Sequence, residues 1–150
     1  MGILTMHMQP APNTKGTIVL GSTSSDPHVV PLFLVKLLLE ENGYRVVNLR
    51  CSNTPEAFVA AAGAQADIRA IVISNNNGAA CEDLEGLSDA LAQGQARVPV
   101  ILGGRAWVHF SKALEDTLHG HGITHICTDF DALMRVLDGI ERDTPCHTHA

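Results

Sequence analysis

Asp26 and His28 stand two positions apart in the segment Ser22-Thr23-Ser24-Ser25-Asp26-Pro27-His28-Val29-Val30-Pro31, with a proline between them that limits how the chain bends. An imidazole in such a loop can hold a metal through one ring nitrogen, and a carboxylate on the other nitrogen fixes the tautomer and strengthens the ligand. His28 is therefore read as a metal ligand and Asp26 as the group that orients it. Two further stretches could contribute. Ser74-Asn75-Asn76-Asn77-Gly78 is rich in short polar side chains, and at Gly103-Gly104 backbone can come close to a ligand because no Cβ intervenes. No Ser-His-Asp order, P-loop or GxGxxG is present, so nucleophilic hydrolysis and phosphate cradling lack support. The other histidines carry less: His119 and His121 flank Gly120 at an expected helix end, where the dipole favours a cation, and His7, His147 and His149 fall in the terminal stretches.

Each of the three candidate stretches follows a short apolar run, which is how loops lie at the carboxyl ends of buried parallel strands. Strands are expected over 17–21, 44–49, 69–74, 98–102 and 124–127. The helices between them are expected over 31–42, with Pro31 in the first position and Gly43 past the end, and from the Thr54-Pro55-Glu56 start to about 65. Further helices are expected over 82–93, burying Leu84, Leu87 and Leu91, over 108–119, and over 130–142 behind an Asp129 cap. The first helix is apolar nearly all round, so either it is fully buried or its outer face meets a partner or ligand. Five strand–helix alternations with short loops predict an α/β fold, a doubly wound five-stranded parallel sheet of the flavodoxin-like (Rossmann-like) kind. In such a sheet all three candidate loops converge on one edge.

The composition agrees with one compact unit: 150 residues and 45% hydrophobic side chains with few aromatics. A formal net charge of -6 argues against nucleic acid as a partner, because that binding draws on clustered Lys and Arg. Cys51, Cys81, Cys127 and Cys146 are too scattered for a zinc knuckle and read as reduced thiols. No segment reaches the roughly 18 apolar residues of a membrane span, so the expected location is cytoplasmic, with no membrane contact. Residues 1–14 are expected to be a flexible leader, 15–142 the folded domain, and 143–150 a flexible tail.

The succession Asp26-x-His28, a serine after the third strand and Gly103-Gly104 after the fourth resembles the cobalamin-binding domains of methionine synthase, methylmalonyl-CoA mutase and glutamate mutase. The resemblance covers residues 15–140 and is nearest to the free-standing small subunit of glutamate (methylaspartate) mutase, whose second strand the stretch Asn42-Gly43-Tyr44-Arg45-Val46-Val47-Asn48-Leu49 parallels. It implies a base-off arrangement in which His28 ligates cobalt and Asp26 holds the far ring nitrogen. The cofactor would be adenosylcobalamin, touched by Ser24, Ser25, Asp26, His28, Val29, Ser74, Asn75, Asn76, Gly103 and Gly104, with the nucleotide tail in a slot lined by Ser74 and the glycine pair. Ligation needs neutral imidazole, so it should weaken in acid.

The resemblance further implies one subunit of an isomerase, inactive without a large TIM-barrel subunit that binds the substrate, and leaves open a homodimer. Two positions depart from the family pattern. Its Asp-x-His-x-x-Gly ends here in Pro31, and its Ser-x-Leu becomes Ser74-Asn75-Asn76. These departures keep alive a diverged member whose cobalamin binding is weakened or altered. A corrinoid carrier for a methyltransferase and a cobalamin-responsive module are the readings from other classes. Arg105 and Trp107 are placed to touch the cofactor rim or a partner, with core packing an equal reading for Trp107.

Overall fold

The computed structural model of the chain describes residues 14–107 and 109–143. The leader expected over 1–14 and the tail over 143–150 lie, apart from Thr14 and Asp143, outside the described residues, and so do His7, Cys146, His147 and His149. Among the described residues five strands and six helices follow in order: β1 (Thr17–Ser22), α1 (Val29–Glu41), β2 (Arg45–Asn48), α2 (Pro55–Gly63), β3 (Ile68–Asn75), α3 (Ala80–Asp83), α4 (Leu87–Gln93), β4 (Val100–Gly104), α5 (Lys112–Gly120), β5 (His125–Cys127) and α6 (Phe130–Asp143). The strands form one parallel sheet in the order β2-β1-β3-β4-β5. Chain order reverses between β1 and β3, so the loops that leave their carboxyl ends turn to opposite faces and open a crevice there.

Side chains alternate across the sheet and build two cores. Val19, Ile71, Ile73, Val100 and Leu102 face α2, α4 and α5 and pack with Phe58, Leu87 and Leu118. Ile18, Leu20, Ala70, Val72 and Ile101 face α1 and α6 and pack with Leu32, Leu39, Leu133 and Leu137. No helix among the described residues is long and apolar enough to cross a membrane.

Three expectations change. The helix expected over 82–93 is two short helices, because Gly86 sits at φ 87, a left-handed conformation that ends one helical run and starts another. Leu84 and Leu87 are still buried, while Leu91 is only partly so. The helix expected from 108 begins at Lys112, where the Ser111 side chain accepts a hydrogen bond from the Leu114 N–H at 3.1 Å and caps it. The first helix starts at Val29, so Pro31 is its third residue rather than its first. That position has no intrahelical N–H bond to lose, so proline is still accommodated. The Thr54 and Asp129 caps form as expected, each side chain accepting from a backbone N–H three residues on.

Candidate functional site

The loop after β1 is fixed before it reaches His28. Ser22 donates its hydroxyl to the Asp26 carbonyl at 2.6 Å, and the Asp26 N–H returns to the Thr23 carbonyl at 3.1 Å. This places the Asp26 carboxylate at 0% exposure under the sheet edge. A buried carboxylate is tolerated only if its oxygens find donors. Oδ2 accepts the Asn76 N–H at 2.7 Å, and Oδ1 accepts the His28 N–H at 3.1 Å. His28 Nδ1 meets the same Oδ1 at 2.5 Å. Since a carboxylate offers lone pairs only, the ring hydrogen belongs on Nδ1, and Nε2 keeps its lone pair. Nε2 has no hydrogen-bond partner among the described residues, and the His28 side chain is 51% exposed.

Beside this pair the sheet leaves room. Ser22, Ser74, Gly103 and Cys127 are register partners across β1, β3, β4 and β5, and they share the face toward α1 and α6. All four are small, so the last row of that face cannot fill the space between the helices. The result is a cavity of about 600 Å³, walled by Val30, Pro31, Leu34 and Val35 of α1, by Phe130 and Leu133 of α6, and floored by Leu20, Val72 and Ile101. Ser74, Gly103, Gly104, Arg105 and Asp129 lie around it. Burial first, and then the Asp129 charge, push the Cys127 thiol up, so it acts in the wall as a small neutral group. Asn76 donates to Ser74 Oγ at 3.0 Å, which occupies one lone pair of the hydroxyl and leaves its hydrogen available to an acceptor in the cavity.

The expected site residues fall into four groups. Asp26, His28 and Asn76 join across the β1–β3 crevice, while Ser74 and Gly103 line the cavity. Gly104 also borders the cavity, but its glycine requirement comes from the backbone: φ is 93, and a Cβ would overlap the Asn75 carbonyl. A Cβ on Gly103 would sit 3.5 Å from the Cys127 carbonyl, an ordinary contact, so only a larger side chain would intrude there. Ser24, Ser25 and Val29 are exposed on the rim, and Ser25 is bonded to Asp83 rather than turned to the cavity. Asn75 points to the opposite face, where it donates to Thr23 Oγ1 at 2.7 Å and to Asn77 Oδ1 at 2.8 Å. Sequence reasoning missed Cys127, Leu34 and Phe130 as wall residues. Only strand register and helix placement reveal them.

Among the described residues no group of three or more His, Cys, Asp or Glu is placed to hold a metal ion. A lone imidazole of this kind suits a metal that arrives with most of its ligands already attached, as cobalt does in a corrin ring. The apolar cavity beside it suits a flat aromatic base. The residues present therefore fit cobalamin.

Comparison with known proteins gives the same direction. The model of the B12 binding domain matches residues 16–136. The chain belongs to the B12-binding domain family. Within this family it is 35% identical over 88 residues to glutamate mutase sigma subunit 1 of Haloarcula marismortui, covering 59% of this chain and 58% of that protein. It is 36% identical over 91 residues to the glutamate mutase sigma subunit of Halobacterium salinarum, covering 61% and 60%. The match thus spans about three fifths of these relatives' length. Among solved structures, the methanol:cobalamin methyltransferase complex MtaBC of Methanosarcina barkeri superposes with a TM-score of 0.74 at 22% identity, over 89% of this chain and 49% of that one. At that identity the likeness speaks for the fold of a B12-binding domain, here with the pocket between α1 and α6.

Proposed function

We propose that this B12-binding domain is the cofactor-carrying subunit of a glutamate-mutase-like isomerase, with His28 Nε2 as the protein ligand to cobalt in a base-off cobalamin. The observation that carries the reading is the Asp26–His28 pair, whose geometry leaves one ring nitrogen free at the sheet edge. Bound there, adenosylcobalamin would supply a weak cobalt–carbon bond and with it radical chemistry that no side chain can provide.

The chain's own residues hold and shield. Asp26 keeps the proton on Nδ1 and fixes the ring plane, and the Asn76 N–H keeps Asp26 in place. Ser74 would offer its hydroxyl hydrogen to a nitrogen of the cofactor's base, and the apolar walls would take the base's ring. Nothing in the described residues covers the upper side of this edge, where a radical needs protection from water. Val29, Val30, Phe33, Leu34 and Leu37 on α1 and Phe130 at the cavity wall are large apolar side chains left exposed. Their exposure supports a second subunit, in the proposal a TIM-barrel protein that binds an amino-acid substrate and completes the mutase.

The test is electron spin resonance of the chain loaded with cob(II)alamin, prepared with nitrogen-15 histidine. We expect a single-nitrogen splitting that changes with the label and vanishes in His28→Ala. A splitting insensitive to the label, with the cofactor bound, would show that the cofactor keeps its own base on cobalt and would remove His28 from the role.

A further inference from the structure

The cavity between α1 and α6 is apolar through most of its depth, yet a cation stands at its mouth. Arg105 borders it directly after Gly104. Its backbone is held twice: Gly104 turns the chain at φ 93, and the Arg105 N–H donates to Asn76 Oδ1 at 3.3 Å. Its guanidinium has neither an ion pair nor a hydrogen bond among the described residues, although the chain carries a formal net charge of -6. The acid nearest along the rim, Asp129, is already engaged as the α6 cap, its Oδ1 accepting the Ala132 N–H at 2.8 Å. Asp129 therefore also meets the positive end of that helix, and Arg105 is the positive group left over at the mouth.

An apolar cavity with one free guanidinium at its entrance is complementary to a ligand with a flat apolar body and a single anionic group at one end. Resting on the cofactor reading above, we propose that Arg105 binds the phosphodiester of the cobalamin nucleotide tail, with the base inside the cavity and the phosphate at its mouth. Arg105 then helps this chain distinguish a corrinoid that carries a phosphorylated tail from one that lacks it. A corrinoid without the phosphorylated tail loses this contact and retains the one to His28.

The experiment uses the full chain with three probes, followed by calorimetry and, for the corrinoid, by absorption. The probes are cobalamin, the dimethylbenzimidazole ribonucleoside, and the phosphate monoester of that nucleoside. Arg105→Ala should weaken the phosphorylated nucleoside about tenfold and leave the unphosphorylated one within about twofold, as expected for one charge-assisted contact near solvent. Arg105→Lys should recover part of the loss, and added salt should shrink the difference. Equal losses for both nucleosides, or none, would overturn the assignment. So would a wild-type chain that binds cobalamin and neither nucleoside, since the cavity would then have no affinity of its own for the tail. A wild-type chain that binds no cobalamin at all brings down the cofactor reading first, and the role of Arg105 with it.

Discussion

Among the described residues the sheet carries four helices on one face and two on the other, and the strands supply each face from alternate residues of the same short segments. On the first face α2 and α4 pack against each other as well as on the strands, and Phe58 fills the space over β1 so closely that a Cβ on Gly21 would come within 3.0 Å of its ring. On the second face α1 lies over β1 and β2 and α6 over β5, which leaves the ends of β3 and β4 bare between them. The last row there is Ser22, Ser74, Gly103 and Cys127. In the proposed reading, stability and binding are thus divided between the two sides of a single layer. The closed side can hold the fold while the open side waits for its ligand.

The largest test of this division is a pair of truncations. Phe58 is fully buried, so Phe58→Ala should cost about 3–5 kcal/mol of unfolding free energy, its transfer term plus an unrelaxed void. Leu133 is almost as buried, but it stands on a space that already exists. Leu133→Ala should therefore fall near the low end for such changes, about 2 kcal/mol, because little new void is created. Urea denaturation of the two apoproteins at neutral pH measures both. Equal costs would mean that the second face is as tightly packed as the first.

Much of this arrangement was legible in the residues. The apolar runs gave all five strands, because a strand covered on both faces needs nearly continuous Val, Ile and Leu, and the loops after β1, β3 and β4 meet on one edge as expected. Asp26 and His28 could be paired from spacing because an Asx-type turn brings a side chain to the residue two ahead. The cavity was not legible in the same way. Its floor depends on which residues of four separate strands fall in one row, and a one-residue slip in any register would have turned Gly103 or Cys127 to the other face. The break at Gly86 also escaped, since leucines at helical spacing run through it and the left-handed turn leaves that spacing intact.

The neighbouring glycines of β4 offer a middle-sized test, because they face opposite sides. Gly104 needs φ 93 and would press a Cβ into the Asn75 carbonyl, so Gly104→Ala should cost about 2 kcal/mol and loosen the Asn76 contacts with it. Gly103 faces the open side with room for a methyl group, so Gly103→Ala should change stability by less than about 0.5 kcal/mol. Thermal unfolding of the two variants compares them directly. A larger loss at Gly103 than at Gly104 would reverse the assignment of strain and space.

The smallest test probes the point where the closed side reaches across to the site. Asp83 of α3 accepts from the Ser25 N–H at 3.2 Å and from the Ser25 hydroxyl at 2.7 Å, tying the short helix to the loop that carries Asp26 and His28. Partial burial pushes its carboxyl up, but the hydrogen bonds from Ser25, Thr23 and Ser24 together outweigh this and hold it below the ordinary aspartate value. A carboxylate so lowered stabilises the fold above the unfolded value of about 3.9, and that contribution disappears as pH falls through the still lower folded value. Because Asp83 is only partly buried and its bonds to Ser25 lie near solvent, Asp83→Asn should cost on the order of 0.5 kcal/mol at neutral pH. Urea denaturation at neutral pH and in strong acid should show this gap closing as Asp83 itself becomes protonated. A gap that stays constant or widens in acid would mean that the ionised carboxylate is not what binds the loop, and that the site's first loop stands without help from the closed face.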